Sequence, residues 1–94
     1  LRVARTLVEE SRVACAQIET APITSVYRWK GEVAVEAEVH LRLKTTDDAL
    51  EGVVDRLRAL HPYEVAQIVW IRARADEAYA RWAHAQCTPD APAP

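Results

Sequence analysis

The side chains able to do chemistry in this 94-residue chain are few and widely spaced. Cys15 offers a thiolate, the ligand type that copper favours, yet in an alanine-rich stretch it reads first as a small buried packing residue. His61 stands directly before Pro62. There an imidazole can serve a metal, or it can cap the last carbonyls of a helix and favour the negative end of its dipole. As a ligand it needs Cys15 or a carboxylate within reach. Glu36 and Glu38 recur two residues apart beside His40, a spacing that puts them on one strand face. Such a pair supports acid–base chemistry when its pKa values are split. Otherwise it meets Arg28, Arg42 or a neighbouring copy's arginine. Tyr27, Trp29 and Tyr63 combine an apolar body with a polar tip, a type found at interfaces and in plain cores alike. His40 and His84 read as solvated. No Ser–His–Asp or Cys–His–Asn set has supporting spacing, and with Gly31 and Gly52 alone there is no glycine-rich phosphate loop. The residues spell out no enzyme.

The elements that must position these groups are organised around 25–44, SVYRWKGEVAVEAEVHLRLK. Val33, Val35, Ala37, Val39, Leu41 and Leu43 alternate with Glu32, Glu36, Glu38, His40, Arg42 and Lys44. That period predicts a long strand with one dry and one wet face. Ile23, Tyr27 and Trp29 carry the odd phase upstream, and Lys30-Gly31 supplies the turn of a hairpin. A strand of about a dozen residues is roughly twice the common length. The far half of the hairpin is expected to overhang its own domain as an arm that packs against another subunit.

Upstream, Leu1, Ala4, Leu7, Val8 and Ser11 fall at helical spacing over 1–11. A short strand is expected over 12–18, packed on both faces, followed by a connector over 19–22. Downstream, Thr45 or Thr46 is placed to cap a helix that carries Asp47, Asp48 and Glu51 in its first turn. Leu50, Val53, Val54, Leu57 and Leu60 form its apolar stripe, Gly52 allows a close approach, and His61-Pro62 ends it. Residues 64–72, with Val65, Ile68, Val69, Trp70 and Ile71, read as a well-covered strand. Asp76 then caps a last helix bearing Tyr79, Trp82 and Ala83. From Cys87 the chain reads CTPDAPAP, so we expect one domain over 1–86 and a disordered Pro/Ala tail over 87–94.

With one further strand ahead of it, this order becomes β-α-β-β-α-β plus a terminal helix. That is an α+β, ferredoxin-like split β-α-β sandwich: an antiparallel sheet with helices on one face. The chain contains no Met and opens at Leu1 in mid-pattern with no cap before its first apolar position. We therefore expect that a first strand, central in such a sheet, is missing from this sequence.

The totals bound the partners. A formal charge of −2 with interspersed signs argues against nucleic acid, which needs a basic face to release counterions. The longest apolar run, 68–71, is far short of the roughly 20 residues that cross a membrane, and no signal-peptide pattern opens the chain. Two cysteines so far apart make a structural disulfide an unneeded assumption and a reducing cytoplasm the simpler home. A chain of this size buries only about 60–65% of its unfolded surface, so association helps it.

Leu7-Val8-Glu9-Glu10, Val13-Ala14-Cys15, Ser25-x-Tyr27-x-Trp29-x-Gly31, Glu38, Lys44-Thr45-Thr46, His61-Pro62-Tyr63-Glu64-Val65 and Tyr79-x-x-Trp82 follow one another along nearly the whole chain. Each motif is weak alone; in this order and spacing they resemble the divalent-cation-tolerance family, CutA. The resemblance implies a homotrimer of PII-like ferredoxin folds, with long hairpins reaching across to neighbouring subunits. It further implies a cytosolic protein linked to copper and other divalent metals, with no established reaction and no obligatory cofactor. On it, Cys15, His61 and Glu64 are the candidate ligands of a divalent cation. Tyr27, Trp29, Glu38 and Tyr63 would line the cleft between subunits. One departure bears on the site: Ala66-Gln67 stands where the family often has Pro-Glu, and an uncharged glutamine attracts a cation poorly. A second reading is a PII-like sensor of a small molecule, or a trimeric scaffold for a protein partner, with the metal effect indirect.

Overall fold

The computed structural model describes residues 1–61 and 67–88. Its elements are α1 (Arg2–Glu9), β1 (Cys15–Ile18), β2 (Ile23–Trp29), β3 (Glu32–Glu38), β4 (Leu41–Lys44), α2 (Asp47–Leu60) and α3 (Glu77–Gln86). Local signals set the starts of α2 and α3 and the ends of α1 and α2. The Thr46 hydroxyl accepts a hydrogen bond from the Ala49 amide (3.3 Å), with Asp47 and Asp48 in the first turn of α2. Asp76 caps α3 in the same way through Tyr79 N–H (3.3 Å). At its far end α2 closes on His61, whose backbone N–H bonds the Leu57 carbonyl at 2.8 Å. α1 ends where Ser11 enters the left-handed region (φ 56°), turning the chain toward β1.

The strands pair as two antiparallel ladders. β1 runs against β4, from Cys15↔Lys44 to Ile18↔Leu41. β2 runs against β3, from Ile23↔Glu38 to Trp29↔Glu32. Lys30 (φ 50°) and Gly31 (φ 83°) are both left-handed, the requirement of a type I′ turn whose twist suits a two-residue hairpin. The continuous strand expected over 32–44 is interrupted at Val39 and His40. There the first side of the hairpin advances five residues (18 to 23) while the second advances three (41 to 38). This is a bulge with an excess of two residues on the first side, closed by a Glu19 N–H bond to the His40 carbonyl (3.0 Å). An excess of two leaves the side-chain phase intact. The alternation in the sequence therefore runs through the break without a sign of it.

Residues 67–72 carry no regular structure, in contrast to the strand expected there; 64–66 lie outside the described residues. Neither ladder among the described residues pairs with this stretch, and strand-forming residues become a strand only when their N–H and C=O groups find a partner strand. Cys87, expected at the head of a tail, instead caps the C-terminus of α3 and is buried.

The core lies on one side of the β1–β4 ladder. Leu7 of α1, Val13 and Val53 of α2 pack together, with Val3, Leu43 and Leu57 around them. Ala14, Ala83 of α3 and Cys87 form a second cluster against Ala49. Val8, read as part of the apolar stripe of α1, points outward at 44% exposure. A polar lock joins the helices: the Arg56 guanidinium donates to both Glu10 carboxylate oxygens (Nε 3.0 Å, Nη2 2.8 Å), and Arg12 Nε donates to Oε1 at 2.7 Å. Arg12 also reaches the Gly52 carbonyl (3.4 Å). A Cβ at Gly52 would sit 3.0 Å from that guanidinium, so a side chain there would make the arginine tip give by a few tenths of an ångström.

Candidate functional site

The pairing register sorts every candidate residue onto one of two faces. In antiparallel strands, directly opposite residues share a face. On β4, Leu43 belongs to the side covered by the helices, and the odd phase continues outward through Val39, Ala37, Val35 and Val33. Across the ladder this face receives Thr24, Val26 and Arg28 of β2. The helices pack on it at the Leu43 end; farther out Val26, Val33 and Val35 stand 66%, 63% and 65% exposed. Val39, at the break, is exposed as well.

The opposite face carries Cys15, Gln17 and Glu19, then Ile23, Ser25, Tyr27 and Trp29, against Lys44, Arg42, His40, Glu38, Glu36, Ala34 and Glu32. Tyr27 and Trp29 are thus not on the valine side, where their odd phase seemed to put them. The register pairs odd positions of β2 with even positions of β3, so the aromatics stand among the glutamates. Both are more than a third exposed, and Lys30 Nζ lies 5.8 Å above the Trp29 ring.

Polar contacts tie this face together. Ser25 Oγ donates to Glu38 Oε2 at 3.1 Å, a diagonal pair across the ladder. At the bulge, Glu19 holds Arg42 (2.7 Å) with one oxygen and approaches His40 Nδ1 (3.6 Å) with the other. The arginine expected to meet Glu36 or Glu38 thus serves Glu19, and Arg28 donates to the Gly31 carbonyl (3.4 Å). Cys15 is half-buried and free, directly opposite Lys44, whose ammonium donates to Gln17 (2.8 Å).

Among the described residues, one copy of the chain does not bring Cys15, His61 and Glu38 together. From the level of Cys15, at Lys44, to Glu38 the strand climbs about 20 Å at ~3.3 Å per residue. His61 lies beyond the far end of α2, a 14-residue helix about 21 Å long at 1.5 Å per residue, whose near end follows Lys44. Among the described residues no three His, Cys, Asp or Glu side chains are placed to hold one ion. Tyr63 and Glu64 lie outside the described residues. A cleft of about 520 Å³, which the sequence did not announce, opens between the end of β4, the start of α2 and α3. It is lined by Lys44, Asp47, Asp48, Tyr79 and His84 with several alanines. Tyr79 stacks obliquely on Trp82 (centroids 5.6 Å apart).

These elements define an α+β, ferredoxin-like protein of the PII-like kind, a helix-covered ladder extended into a hairpin ribbon. The CutA1 divalent ion tolerance protein family matches residues 1–86. The divalent-cation tolerance protein CutA of Thermus thermophilus is 42% identical over 81 residues, 85% of this chain and 78% of that protein. Mouse protein CutA is 32% identical over 83 residues, and there the chain spans 46% of the relative's length. Among solved structures, the PII-like protein CutA of Nostoc sp. PCC 7120 in apo form superposes with a TM-score of 0.84 at 38% identity. That match covers 92% of this chain and 84% of the other. The Thermus thermophilus structure gives a TM-score of 0.80 at 40% identity, over 88% and 81%. The chain belongs to the CutA1 divalent ion tolerance family. No helix among its described residues is long and apolar enough to cross a membrane.

Proposed function

We propose that the protein is a cytoplasmic, non-enzymatic metal-response protein that works as a homotrimer and binds a divalent cation of the copper type, or a small ligand, in clefts between its copies. The observation that carries this reading is the bare valine face of the β2–β3 ribbon. Val26, Val33 and Val35 alternate as core residues do, yet the chain's own helices leave them uncovered. A contiguous apolar patch of this kind marks an interface more often than open surface. Assembly would also answer the separation of the candidate ligands. With Cys15 and His61 a helix length apart in one copy, a site using both takes them from different copies, with Glu64 as the carboxylate and Tyr27, Trp29, Glu38 and Tyr63 as the walls. Thiolate, imidazole and carboxylate together suit copper and zinc better than a hard cation. No cofactor is obligatory in this reading, and neither nucleic acid nor a membrane is a partner.

Two measurements test it in sequence. Light scattering on the whole chain should give three times the chain mass, falling to one in Val26→Lys/Val35→Lys with helicity retained; a trimer that survives both lysines removes the valine face from the interface. On the assembled protein, copper titration should saturate, and affinity should fall at least tenfold in Cys15→Ser/His61→Ala. Unchanged affinity there would take these residues out of the site.

A further inference from the structure

We draw no further inference here: the strongest candidate, the cleft of about 520 Å³ between the end of β4, the start of α2 and α3, is open along one side and nothing in the structure shows what covers it.

Discussion

The two halves of the hairpin are built from the same alternation and have opposite fates. In the β1–β4 half, Leu43 is closed over by Leu7, Val13 and Val53, and the ladder is a wall of the core. In the β2–β3 half the same face of the same hairpin exposes Val26, Val33 and Val35. Composition does not separate them, since valine and leucine bury equally well. Helix length does. α2 is about 21 Å long at 1.5 Å per residue, and a hairpin that runs from Cys15 to Trp29 outreaches it. An apolar strand face is therefore a statement about what a residue would bury against, not about whether its own chain supplies the cover.

The comparison breaks most directly at Leu7 and Val35. Leu7 is fully buried between α1, α2 and the β1–β4 ladder. Leu7→Ala should cost about 2–5 kcal/mol, the transfer loss plus the cavity left behind. Val35→Ala, measured where the chain is dilute enough to be single, should stay within about 0.5 kcal/mol of the parent, as exposed sites do. Denaturant unfolding of both variants at several protein concentrations checks this. The Val35 variant should lose stability only as concentration rises and copies meet. If it costs as much as Leu7→Ala at every concentration, the ribbon is covered by its own chain and the contrast between the halves is false.

A smaller effect sharpens the same contrast. Thr46→Ala removes the acceptor for the Ala49 N–H at the start of α2, the helix that covers the β1–β4 half. The loss should be about 1 kcal/mol, typical of a threonine N-cap. Hydrogen exchange should report it at the first turn of α2 and at the β4 amides beneath, while amides across the β2–β3 ladder keep their protection. Equal loosening of both ladders would mean that the halves open as one unit.

Much of this was legible in the sequence, and what was not has identifiable causes. Thr46, Asp76, the Lys30-Gly31 turn and the stripe of α2 are local signals, decided within a few residues, and the structure places them as read. Pairing register is not local. Alternation shows that a strand has two faces but not which face of the next strand it joins, so Tyr27 and Trp29 seemed to side with the valines. The pairing Tyr27↔Ala34 and Trp29↔Glu32 puts them with the glutamates. The bulge at Glu19–Pro22 was legible as a connector on one strand and invisible on the other, where Val39 and His40 keep perfect phase. The stretch 67–72 has the composition of a strand, but composition cannot provide a neighbour to bond with. At the candidate site, the residue types Cys15, His61 and Glu38 were visible. The separation of Cys15 from His61 was not, because it follows from α2 running its full length between them. Glu19, which joins His40 and Arg42 at the bulge, was missed for the same reason: an ion pair across strands has no spacing signature along one of them.

The smallest effect concerns the lock behind the covered half. Glu10 accepts from Arg56 at 2.8 and 3.0 Å and from Arg12 at 2.7 Å. The Arg56 hydrogen bonds first, and those of Arg12 second, hold its carboxyl below the ordinary carboxylate value. A native pKa below the unfolded one means that the unfolded chain binds the proton more readily, so falling pH draws the equilibrium toward it. The lock's contribution is complete above the unfolded value, about 4.3 for a glutamate. It is lost as pH drops through the lower native value. Glu10→Gln keeps the shape and removes the titration. Its stability should therefore lie below the parent's at neutral pH, with the gap narrowing as both are taken into acid, read from denaturant midpoints across that range. The lock ties the end of α1 to α2 and touches neither strand of the ribbon, so the mass in solution of Glu10→Gln should match the parent's. A gap that stays constant down the acid limb would show that Glu10 acts through packing and not through its charge. A variant that changed mass would couple the lock to the arm and erase the boundary between the two halves.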